Sequence, residues 1–108
     1  MNRGDIYMVL LDPTEGREPR GHRPVMIAST SAFNEATKLP VVLPITNGAA
    51  FAQRIGCAVP ISGIKTTGVV RCNRSRVLDI DARLGRKVDV LPTAVLEVIM
   101  TRLATIFK

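Results

Sequence analysis

Apolar residues recur along this chain in short runs, at 6–11, 25–29, 41–45, 57–61, 68–72 and 76–78, separated by Pro, Gly and Asn. Runs of that length bounded by turn residues predict strands. Their close spacing predicts a mainly β fold, a small and strongly bent antiparallel sheet or partial barrel. Residues 31–38 are expected to form a short helix, with Ser31 as its cap and Glu35 in its first turns. Asn47-Gly48-Ala49-Ala50 reads as a turn or loop. Near the end of the chain the period changes. Leu96, Ile99, Met100, Leu103, Ile106 and Phe107 recur at helical spacing, with Glu97, Thr101 and Thr105 on the opposite stripe. Pro92 suits the first helical position. This helix is expected to pack its apolar face on the sheet or on a second subunit.

The 108 residues suit one domain, 1–108, with a modest core, and 46% hydrophobic content predicts a folded chain. No apolar run approaches the roughly 20 residues that span a bilayer. A strand starting at residue 6 leaves no room for a signal peptide. A cytoplasmic protein without membrane contact is therefore expected. Cys57 and Cys72 each lie in a strand-like run and read as small core hydrophobes. With one histidine in the chain they cannot complete an ordinary four-ligand zinc site, and no metal or other cofactor is expected.

Charge sharpens the picture. Fifteen Lys and Arg against nine Asp and Glu give a net charge of +6, which favours polyanionic or acidic partners. Between residues 71 and 87 six basic side chains (Arg71, Arg74, Arg76, Arg83, Arg86, Lys87) face only Asp79 and Asp81 in sequence. Aromatic content is 4% with no Trp, which weakens a base-stacking platform of the RRM type.

Two segments carry candidate chemistry. Residues 11–24, between the first two strands, hold the only histidine, three prolines and Arg17, Arg20 and Arg23. A loop of that length in a compact domain is usually functional or disordered, and three prolines between strands argue against disorder. Its basic residues could converge on an anion. They could equally be a solvated connection offset by Asp12, Glu15 and Glu18. In the second segment, residues 66–73, strand alternation sends Val70 and Cys72 one way and Thr67, Val69, Arg71 and Asn73 the other. Arg71 offers a permanently charged fork suited to phosphate, although an ordinary polar strand face would read the same way.

Taken in order, Arg3-Gly4-Asp5-Ile6, Leu11-Asp12-Pro13-Thr14, Gly21-His22-Arg23-Pro24-Val25, Ala32-Phe33-Asn34, Leu43-Pro44-Ile45-Thr46 and Thr66-Thr67-Gly68-Val69-Val70-Arg71-Cys72 resemble the MazF/PemK (Kid) family over nearly the whole chain, in its PemK/Kid branch. The resemblance implies an SH3-like antiparallel barrel with a C-terminal helix. It implies a homodimer and the toxin of a type II toxin–antitoxin pair, held by an antitoxin whose acidic C-terminal tail fills a basic groove. It also implies a metal-independent endoribonuclease that cuts single-stranded RNA, mostly mRNA. In that reaction a 2′-hydroxyl attacks the adjacent phosphate, leaving a 2′,3′-cyclic phosphate and a 5′-hydroxyl. Such chemistry needs a base, a proton donor and cationic stabilisation of the phosphorane.

Arg71 matches the branch's arginine. Asn73 stands at its aspartate and Arg17 at its histidine, and neither replacement cycles protons near neutral pH. His22 in the same loop could take the proton-transfer role, or could be bonded to backbone. The family's other branches use a pair matched by Arg23 and Thr46, with Arg23 held extended by Pro24. Arg23, Thr46 and Arg71 are thus the expected electrostatic and positioning residues. Asp5, Asn47, Phe51, Gln53, Thr67 and Val69 are the expected RNA contacts. Two other classes compete: a gyrase-directed toxin of the related CcdB type, which the absence of Trp counts against, and a barrel that binds RNA with weakened catalysis.

Overall fold

The computed structural model describes residues 1–10, 22–47, 56 and 58–107. The six expected strands form with their ends moved by at most three residues. They are β1 (Asp5–Leu10), β2 (His22–Ile27), β3 (Val41–Thr46), β4 (Ala58–Pro60), β5 (Val69–Arg71) and β6 (Arg76–Val77). A seventh strand, β7 (Arg86–Val90), was not expected from the sequence; it is largely exposed and shows no apolar run. The sheet runs β4-β5-β3-β2-β1-β7, with β6 also on β3, and every ladder among the described residues is antiparallel. Among the described residues no ladder joins β4 to β7, so the barrel is bent but not closed.

Alternation along the central strands builds two cores, one on each face. Ile6, Met26, Leu43, Ile45, Val70 and Cys72 bury one way, with Leu91 and Ile99. Val9, Val25, Ile27 and Val42 bury the other way, with Leu78 and Ile80. Cys72 is buried as expected; Cys57 lies outside the described residues.

The short helix α1 spans Ser31–Thr37, but its cap is Thr30 rather than Ser31: Thr30 Oγ1 accepts from Phe33 N at 3.3 Å. Ser31 instead donates to Asn2 Oδ1 at 2.6 Å. The helix buries a polar residue, Asn34, whose amide donates to Met1 O at 2.9 Å and whose Oδ1 accepts from Ser29 Oγ. The C-terminal helix α2 spans Thr93–Ile106, with Pro92 one position earlier than expected, at the N-cap. Its Leu96, Ile99, Met100 and Leu103 pack on the first core. Ile106 and Phe107 continue the pattern yet lie exposed, Phe107 at 75%, so the apolar stripe outruns the sheet. No helix among the described residues is long and apolar enough to cross a membrane.

Candidate functional site

One end of the sheet gathers the start of β2, the end of β3 and the loop that leads into β5. Val25 pairs Pro44, and the same register carried two residues further sets Arg23 level with Thr46. Thr46 in turn pairs Val69. A groove opens here, with a volume of about 460 Å³, lined by Met8, His22, Arg23, Pro24, Ile45, Thr46, Asn47 and Thr67. Among the described residues that line it there is no carboxylate. Arg23 is exposed and its Nη1 donates to His22 O at 3.2 Å. Pro24 pairs Met8 inside the β1–β2 ladder, which fixes the backbone on which Arg23 stands.

Two polar atoms stand out. Thr46 Oγ1 and Arg71 Nε are shielded from solvent and have no hydrogen-bond partner, alone in this among the described residues. Buried polar groups are nearly always paired, so both point to a ligand that supplies the missing partner. Thr46 and Val69 share a face through their pairing, and Arg71, two residues on from Val69, belongs to that face as well.

Gly68 sets how closely β5 approaches this floor. A Cβ there would stand 2.7 Å from Thr46 O and 3.4 Å from Asn47 Oδ1, and its φ is +124°. Only glycine fits that approach and that backbone. Just before it, Thr66 donates both its N–H and its hydroxyl to Asp89 Oδ2, at 3.0 and 2.8 Å. Asp89 belongs to β7, so this clamp joins the two ends of the strand path where no ladder does. It also fixes the residue preceding Thr67.

The hydrogen bond from the Thr66 hydroxyl, then that from its backbone N–H, holds the Asp89 carboxyl below its ordinary value, with smaller help from the Val90 N–H and Lys65. A depressed carboxylate contributes stability above its unfolded pKa and loses it as pH falls through the folded one. Asp89→Asn is therefore expected to melt below the parent protein at neutral pH. The gap in melting temperature should close below the ordinary carboxylate range. A gap that stays constant into acid would contradict the clamp.

The remaining expected site residues fall elsewhere. Asp5 is buried at the opposite end of β1, accepting from Asn2 N at 2.9 Å and pairing with Lys87 at 3.5 Å; its carboxylate is engaged in structure. Val69 is 8% exposed and forms floor rather than wall. The expected alternation from Thr67 to Asn73 stops early, because β5 ends at Arg71 and a turn with Arg74 N bonded to Arg71 O follows at 3.2 Å. Asn73 is exposed in that turn. Arg17, Phe51 and Gln53 lie outside the described residues, as do residues 11–21. Sequence reading missed Met8 in the lining, which a strand methionine gives no reason to single out. It also missed Asp89, whose role depends on a contact 23 residues away. No group of three His, Cys, Asp or Glu that could hold a metal ion occurs among the described residues.

Comparison with known proteins agrees with this architecture. The sequence model of a family described as PemK-like, MazF-like toxin of type II toxin-antitoxin system matches residues 2–107. Endoribonuclease PemK of Escherichia coli is 47% identical over 108 residues, covering 98% of this chain and 81% of that protein. Endoribonuclease toxin ChpB of Escherichia coli K12 is 36% identical over 109 residues, covering 98% and 93%. A mycobacterial endoribonuclease, solved in complex with its cognate antitoxin, superposes with a TM-score of 0.80 at 26% identity, covering 99% of this chain and 94% of that one.

Proposed function

This chain belongs to the PemK-like, MazF-like toxin family of type II toxin–antitoxin systems, and from that premise we propose how its groove cuts RNA. The protein is a toxin endoribonuclease. Its substrate in this reading is single-stranded mRNA in the cytoplasm, its inhibitor an antitoxin with an acidic tail, and its working form a homodimer. The observation that carries the site assignment is the pair of unpartnered, shielded atoms, Thr46 Oγ1 and Arg71 Nε, on one sheet face beside Arg23.

In the reaction the 2′-oxygen bonds to phosphorus, its proton passes to a base, and the bond from phosphorus to the 5′-oxygen breaks as that oxygen takes up a proton. The phosphorane carries the extra negative charge. The guanidinium groups of Arg71 and Arg23 offset it, and Thr46 Oγ1 donates to a non-bridging oxygen. Among the described residues that line the groove, His22 alone has a side chain of the type used for proton transfer near neutral pH, which gives the transfer to His22. Asn47 and Thr67 both line the groove and supply hydrogen bonds to base edges.

The test is cleavage of defined single-stranded RNA in EDTA with both new ends mapped. Cyclic phosphate and 5′-hydroxyl ends are expected, and trapped gyrase–DNA complexes without RNA cleavage would overturn the reading. His22→Ala is expected to slow single-turnover cleavage about 10²-fold or more, the usual contribution of a proton-transfer group. An unchanged rate would remove His22 from the mechanism.

A further inference from the structure

The six basic residues between 71 and 87 do not act as one patch. Arg83 Nη1 is tied to Leu10 O at 3.1 Å, and Lys87 pairs with Asp5 at 3.5 Å. Arg74 and Arg76 are different. Both are exposed, and their side chains make no hydrogen bond or ion pair among the described residues. They line a second depression together with Val25, Val42, Pro44, Thr46 and Ser75.

The sheet creates this depression. On one side of β3, β5 pairs Ile45 and Thr46 while β6 pairs Val41 and Val42. Leu43 and Pro44 fall in the gap between them, bridged by the turn after Arg71. Pro44 has no N–H to leave unpaired in such a gap. Pro44, half-buried, floors the depression over the fully buried Val25 and Val42, and the arginines and Ser75 form the rim. Among the described residues no carboxylate lines it. Thr46, whose shielded Oγ1 has no partner, belongs to the lining of both depressions and makes them continuous.

We propose that this gap is a second nucleotide subsite, in which a base flanking the cleavage site rests on Pro44 while Arg74 and Arg76 hold the adjoining phosphates. The proposal rests on the RNA-cleaving reading and extends its groove by one nucleotide across Thr46. A cationic rim that follows the backbone is what binding of a single strand requires.

The experiment measures binding of fluorescein-labelled, single-stranded 2′-O-methyl RNA, which lacks the nucleophile, across a range of salt concentrations. Each phosphate contact contributes about 0.7 to the slope of log affinity against log salt, so Arg74→Ala/Arg76→Ala should lower the slope by about 1.4 and weaken binding. Arg74→Lys/Arg76→Lys, which keeps the charges, should retain the slope and also guards against misfolding of the alanine variant. If the parent protein binds this RNA and the alanine variant shows the parent slope, the subsite is overturned and the main groove stands. If the lysine variant loses the slope as well, the contribution is not phosphate charge and the proposal falls. Loss of binding to polyglutamate with the RNA slope unchanged would assign the gap to an acidic polypeptide and overturn it too. Absence of RNA binding by the parent protein would strike the RNA-cleaving reading itself, and the subsite with it.

Discussion

Arg71→Ala is expected to lower single-turnover cleavage by about 10²–10³-fold, the usual cost of removing one preorganised donor to a developing oxyanion. Among the described residues Arg71 is the one arginine whose Nε is shielded and without a partner. In the folded protein that atom already bears the cost of an unmade hydrogen bond. Its removal should therefore leave stability unchanged or slightly raised, and this is the informative part. A variant that loses activity while its melting temperature holds or rises marks a group kept for the transition state. Loss of both together would mark Arg71 as structural. Arg71→Lys should recover only a small part of the rate, because a single ammonium cannot reproduce the planar fork.

The second large effect is expected at Gly68. Gly68→Ala forces a Cβ to within 2.7 Å of the Thr46 carbonyl at a φ of +124°. The two faults, steric and conformational, together should cost about 2–5 kcal/mol in denaturant unfolding. The colliding atom is backbone of the residue that carries the shielded hydroxyl, so the protein can relieve the clash only by moving Thr46 or β5. Cleavage measured well below the melting transition should fall as well. Wild-type activity in a destabilised Gly68→Ala protein would detach Thr46 from the chemistry.

The contrast between these positions shows what the sequence makes legible. β1, β2 and β3 announce themselves because their residues are buried on both faces, which writes nearly continuous apolar runs. The C-terminal helix is legible from its period, but its outer end is not: Ile106 and Phe107 obey the period and still reach past the sheet. β7 left no signal because an edge strand reading Arg-Lys-Val-Asp-Val is mostly exposed. The helix cap was displaced by one residue because Thr30 and Ser31 are chemically equivalent as caps, and only the contact with Asn2 separates them.

The site divides in the same way. Arg23, Thr46 and Arg71 were legible through ordered motifs, and the sheet register explains why such distant residues share an end and, in part, a face. Asp5 carried the motif's chemistry in sequence, yet its burial beside Lys87 gives it a structural task. The extended face expected up to Asn73 failed because a turn, invisible to an alternation rule, begins after Arg71. The Asp89–Thr66 clamp could not be read at all, since nothing local marks one carboxylate among nine as the partner of a particular threonine.

That clamp has a consequence for how the molecule opens. Ladders along β1, β2 and β3 are long and lie between two cores, whereas β4 has three residues and pairs only with β5, which meets β3 at two positions. Sub-global unfolding follows the weakest cooperative unit. The segment that the clamp restrains is the Thr66–Thr67 loop, which Asp89 ties to the far edge strand. In the proposed site Thr67 thus hangs on that clamp, while Arg23 and Thr46 stand on the long central ladders. Breaking the clamp loosens Thr67 without unpairing the strands that carry Arg23 and Thr46.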